Sequence, residues 1–105
     1  MTSEHEIQND IRVGVSMAGH MIFRANVGKV KMDNGGWFDT GLPKGFPDLF
    51  GFRKSDGKIF FIECKNETGK LRTEQKQFAK TIKKWPVLYG VARSVNDALA
   101  IIGGD

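Results

Sequence analysis

The chain reads as an α/β domain with a mixed central sheet flanked by helices, in the order α-β-β-β-α-β-α. Apolar residues at helical spacing open it, two apolar runs flank an Asp-Gly turn in the middle, and helical and strand-like periods alternate toward the end. With 105 residues, 40% of them hydrophobic, there is material for one core and one domain spanning residues 1–105. No internal repeat, linker or low-complexity tract divides it.

Ser3 to Met17 is predicted as an amphipathic helix, because Ile7, Ile11 and Val15 fall at four-residue steps. Ser3 with Glu6 three residues on forms a capping box, which gives Glu6 a structural task. Glu4 is then the acid left on the inward side, free to serve a site near the sheet. Gly19 ends the helix, and Met21 to Val27 reads as a strand entering a Gly-rich stretch. Asp33-Asn34-Gly35-Gly36, between Val30-Lys31-Met32 and Trp37-Phe38-Asp39, signals an additional hairpin. Val30, Met32, Trp37, Phe38 and Leu42 are many apolar residues for a loop; they either complete the core or meet another subunit, and the core is the preferred place.

The central hairpin carries the chemistry. Side chains on a strand alternate between faces, so Asp48, Phe50 and Phe52 share a face of the first strand, and Ile59, Phe61, Glu63 and Lys65 share a face of the second. Asp56-Gly57 supplies the turn. A four-residue loop over residues 54–57 pairs Asp48 with Glu63, and a two-residue loop at Asp56-Gly57 pairs Asp48 with Lys65; both keep the three groups on one face. Carboxylates placed side by side repel, and a divalent cation relieves the conflict. Hard Mg²⁺ takes carboxylate oxygens together with waters and substrate phosphates. Lys65 on the same face can orient water and offset charge gathering on a phosphate. The alternative is an ordinary strand with Glu63 and Lys65 in solvent, against which Ile59, Phe50 and Phe61 on that face argue.

After Lys65, residues 66–70 form a loop and Thr73 to Lys84 a helix with Phe78, Ala79 and Ile82 inward, closed by Trp85-Pro86. Val87 to Ala92 is a buried strand. Ser94 with Asp97 caps a last helix whose core face is Val95, Ala98, Leu99 and Ile102.

A net charge of +4 and a pI near 9.4 point to a polyanionic partner. Lys70, Arg72, Lys76, Lys80, Lys83 and Lys84 follow Lys65, with only Glu67 and Glu74 between to balance them. Lys76, Lys80, Lys83 and Lys84 recur at helical spacing, either as a stripe along a phosphate backbone or as a solvated lysine face. No apolar run reaches membrane-spanning length, and the acidic, polar start is unlike a signal peptide, so the expectation is a cytoplasmic protein with no membrane partner. Cys64, the single cysteine, falls on the face opposite Glu63 and reads as a small buried apolar residue. His5 and His20 lack zinc spacing, Gly69-Lys70 lacks the rest of a P-loop, and Ser94 is a cap rather than a nucleophile.

Taken together, Glu4-x-x-Ile7, Asn26-x-Gly28, Gly45-Phe46-Pro47-Asp48-Leu49, Phe61-Ile62-Glu63-Cys64-Lys65 and Gln75 at the next helix resemble the VRR-NUC family, a branch of the PD-(D/E)XK nucleases. The resemblance implies a restriction-endonuclease-like core. It implies Asp48 and Glu63 as ligands of Mg²⁺ or Mn²⁺ with the Cys64 backbone carbonyl, and Lys65 beside the attacking water. Glu4 matches the family's helix glutamate, a further candidate ligand with Glu6 its rival, and Gln75 matches a glutamine that supports the site or touches substrate. Lys44, three positions before Pro47, is the nearest match to a basic residue ahead of Pro-Asp; Lys44, Lys70, Arg72, Lys76 and Lys80 are the expected nucleic-acid contacts. Similarity to short phage-encoded members implies host cytoplasm and a homodimer that cuts branched DNA such as four-way junctions, leaving a 5′ phosphate. Val30 to Leu42 is the candidate interface. An RNase on the same core and a non-catalytic basic binding module are the alternatives.

Overall fold

A computed structural model describes residues 2–103. The elements are helix α1 (Glu4–Met17), strands β1 (Met21–Arg24), β2 (Lys29–Lys31), β3 (Trp37–Asp39), β4 (Leu49–Phe52) and β5 (Ile59–Cys64), helix α2 (Thr73–Ile82), strand β6 (Leu88–Ala92) and helix α3 (Val95–Ile102). The main sheet has the order β1-β4-β5-β6; its first three strands are antiparallel and β6 runs parallel to β5, with α2 as the crossover. This is the predicted mixed α/β fold, with β2 and β3 inserted as a separate two-stranded ribbon.

Helix α1 forms where the reading placed it, because Ser3 Oγ accepts the Glu6 N–H at 3.1 Å and Ile7, Ile11 and Val15 all turn inward. Helix α3 starts the same way, with Ser94 Oγ accepting the Asp97 N–H at 3.1 Å and the Asp97 carboxylate accepting the Arg93 N–H at 2.9 Å. Both helices lie on one sheet face. There Leu49, Phe60, Ile62, Cys64 and Ala92 close a dry core with Ile7, Ile11, Val15, Ala98 and Ile102. Alternation along β5 sends Phe61 to the opposite face, where it meets Phe46 and Phe78 of α2 with ring centroids 5.7 and 5.9 Å away. Helix α2 covers that face beside β6, while Phe23 and Phe52, at the β1 side, stay exposed.

Three local expectations are corrected. Strand β1 ends at Arg24 rather than Val27, because the Ala25 N–H makes the last link to β4, donating to the Asp48 carbonyl at 2.8 Å, and the chain then leaves the sheet. The ribbon that follows does not complete the core: Val30, Phe38 and Trp37 are 44%, 57% and 64% exposed, since a ribbon detached from the sheet has no layer over either face. Helix α2 stops at Ile82, so Lys83 is its C-cap and Lys84 lies in the following turn, which shortens the lysine stripe to Lys76 and Lys80. Among the described residues no helix is long and apolar enough to cross a membrane.

Leu49 has no exposed surface and sits one residue from the acid pair. Leu49→Ala should therefore lower stability by about 2–5 kcal/mol, measured by urea unfolding. A loss below about 1 kcal/mol would mean that this face of β4 does not pack as described.

Candidate active site

The β4–β5 turn settles the register. Arg53 donates its N–H to the Lys58 carbonyl at 2.9 Å, and Leu49 pairs with Ile62, so the loop is the four-residue one over 54–57. Gly57 supplies the left-handed backbone (φ +76°) that closes it. Arg53 grips Asp56 through two contacts of 3.0 and 2.7 Å, and its other nitrogen donates to the Ile102 carbonyl at 2.8 Å, tying the turn to α3. That guanidinium, with the Lys58 N–H, holds the Asp56 carboxyl well below the ordinary range.

Carried one step beyond β4, the same register sets Asp48 opposite Glu63. Asp48 Oδ2 accepts the Cys64 N–H at 2.8 Å, taking the place of the next ladder bond. Glu63 has no exposed surface, and neither of its oxygens has a donor among the described residues. Burial pushes its carboxyl up to about 9; Asp48 adds to this as a hydrogen-bond partner and as a neighbouring negative charge, and Lys65 and Arg72 oppose it. Glu63 therefore keeps its proton near neutral pH, chiefly because of its burial.

Lys65 is buried, and its Nζ lies 3.7 Å from Glu4 Oε1. The structure thus brings Glu4 to the lysine. Among the described residues no three His, Cys, Asp or Glu side chains gather to hold a metal, so Glu4 does not join Asp48 and Glu63 in a three-carboxylate cluster. Cys64 is buried in the core on the other face, and burial, with the nearby acids, pushes its thiol far above the ordinary range.

Asp48 opens onto a cleft of about 480 Å³ that Lys29, Lys44, Arg72 and Gln75 also line. Gly45 makes this approach possible. Its φ is +90°, and a Cβ there would collide with the Glu74 carbonyl in the first turn of α2. Gln75 is buried and its Oε1 accepts the Arg72 N–H at 2.8 Å, capping α2 from within. Of the expected nucleic-acid contacts, Lys44 and Arg72 are on this cleft. Lys70, Lys76 and Lys80 are exposed outside its lining.

Two further residues, Lys29 and Tyr89, come to this region only through the fold. Tyr89 pairs with Phe61 across the parallel ladder and so shares the face of Glu63; its hydroxyl is buried without a partner among the described residues, and burial, with Glu63 and Asp48 adding, pushes it up to about 12. Its parity within β6 was legible, but nothing local says which β5 residue it would stand beside.

An acid pair and a lysine thus stand at one end of the mixed sheet of a restriction-endonuclease-like fold, beside a cleft lined by Lys29, Lys44 and Arg72 together with Asp48 and Glu74. The VRR-NUC domain model matches residues 23–96, and the chain belongs to the VRR-NUC family, within the PD-(D/E)XK nuclease superfamily. No curated protein and no solved structure matches it. The matched span contains Asp48, Glu63, Lys65 and Gln75 and leaves out Glu4.

Glu63 sets a pH dependence of folding in the metal-free protein. It ionises near 4.5 when unfolded and near 9 when folded, so the folded state binds the extra proton between those values. Its contribution is complete below the lower value and is lost as pH rises through the upper one. The urea midpoint should fall from about pH 5 to about pH 9, and Glu63→Gln should remove most of that slope. Parallel slopes in both proteins would contradict the assignment.

Proposed function

We propose that the chain is a DNA endonuclease dependent on Mg²⁺ or Mn²⁺, acting as a homodimer on branched DNA such as four-way junctions. One observation supports the metal above all: a fully buried carboxylate without a donor stands against a second carboxylate. Such a pair is costly to ionise until a cation takes the place of the proton on Glu63.

Asp48 and Glu63 would hold the ion. Within a strand the N–H and C=O of one residue face the same neighbour, and the Cys64 N–H faces Asp48, so its carbonyl is available as a third donor. When bound, the ion supplies Lewis-acid polarisation of a phosphate and activation of water. The Lys65 ammonium, held against Glu4, presents its donors where negative charge gathers on the phosphate. Lys29, Lys44 and Arg72 on the cleft bind and orient the backbone on either side, and Gln75 fixes the helix start that carries Arg72.

Pairing of two chains is supported by stoichiometry and by surface. A symmetric junction needs two cuts and one chain offers one site, which a two-fold dimer supplies most simply. Met21, Phe23 and Phe52 are exposed on the uncovered part of the sheet, and Val30 and Phe38 are exposed together on one face of the ribbon.

Purified protein on matched linear, flap and four-way junction DNA should cleave only with Mg²⁺ or Mn²⁺ present, with the junction preferred. Asp48→Ala, Glu63→Ala and Lys65→Ala should each slow cleavage by about a hundredfold or more while DNA binding stays within a few-fold. Full activity of a folded Glu63→Ala protein would remove the proposed metal site, and metal-independent binding without any cleavage would favour a binding module.

A further inference from the structure

We propose that Arg93 is a positioning residue for Lys65, acting through the turn at residues 66–69; this rests on the nuclease reading of the site. Lys65 is the residue at which β5 passes into that turn. Its N–H donates to the Ala92 carbonyl at 3.1 Å, and Arg93 is the first residue past the end of β6. Arg93 Nη1 donates to both ends of the turn, to the Asn66 carbonyl and to the Gly69 carbonyl at 2.9 Å. The turn is closed from inside as well, since the Gly69 N–H donates to Asn66 Oδ1 at 2.8 Å.

The held turn lies on the lysine. A Cβ at Gly69 would stand 3.1 Å from Asn66 Oδ1, 3.2 Å from Lys65 Cδ and 3.4 Å from Lys65 Cβ, so any side chain there would press on the aliphatic stem and on the turn itself. A lysine side chain is a point charge on a flexible four-carbon stem. Here the stem is confined by the turn on one side, and its ammonium is drawn by Glu4 at 3.7 Å at the tip. Arg93 is exposed at its own position yet commits one nitrogen to two backbone carbonyls, which makes it a brace rather than a loose surface charge. Gly69 has no left-handed φ, so the absence of a side chain there leaves room for the Lys65 stem and the Asn66 amide and does not serve the backbone conformation.

The test is steady-state cleavage by Arg93→Ala, Arg93→Lys and Gly69→Ala, each verified as folded, with hydrogen exchange of the 65–69 amides followed alongside. Gly69→Ala keeps every charge and leaves Arg93 in place while pressing on the Lys65 stem and on Asn66 Oδ1, so it stands in if Arg93→Ala fails to fold. Arg93→Ala and Gly69→Ala should lower kcat about tenfold or more, because small misplacements of a reacting group are costly. KM should stay within about twofold, Arg93→Lys should fall between, and added guanidinium should restore part of the Arg93→Ala rate. A raised KM with kcat intact would make Arg93 a phosphate contact, and faster exchange with kcat intact would make it a turn stabiliser; either overturns the proposal. Wild-type protein inactive on every DNA would overturn the nuclease reading and this inference together, whereas an active wild type with unaffected variants overturns the role of Arg93 alone.

Discussion

The placement of Asp48 opposite a buried Glu63 is the constraint on which the site depends. It exists because β4 and β5 are joined by a four-residue turn whose register is clamped by Arg53, Asp56 and Lys58, and a slip of one residue would send one acid to the other side of the sheet. Burial then makes the pair hold a proton it would give up in water. A surface acid pair would spread apart into solvent. This one is held by the Cys64 N–H on one side and a closed sheet on the other, so its charge must be met locally.

The two faces of the sheet divide the work. Under α1 and α3 mostly aliphatic side chains pack around Phe60 in a core that resists any change in strand spacing. Beneath α2 the filling is aromatic, with Phe46, Phe61 and Phe78 in edge-on contact, and polar groups gather at the rim. Gly45 lets the Pro47-Asp48 segment and the first turn of α2 meet at backbone distance, and that closeness places Arg72 and Gln75 beside Asp48. A stability element on one face thereby holds a geometry that the other face uses.

The ribbon of β2 and β3 shows where local pattern and global placement part. Its turn and strands form as the Asp33 to Gly36 signal predicts, because hairpins depend on neighbouring residues alone. Whether the apolar side chains are covered depends on layers that come from elsewhere, and among the described residues Val30, Trp37 and Phe38 stay largely exposed.

Residue order alone was enough for whatever rests on period and on near neighbours: the helix caps at Ser3 and Ser94, the inward stripe of α1, and the shared face of Asp48, Glu63 and Lys65, since strand parity is a property of each strand alone. It left the turn length between two values, and only the folded hairpin chose between them. Tertiary structure also decided which residue of β6 stands beside β5, and so brought Tyr89 to the face of the acids; it drew Glu4 to Lys65 instead of into a three-acid cluster, and it folded Arg93 back over the turn after β5. Those placements join segments far apart in the chain. They follow from packing and register between elements, for which residue spacing carries no record.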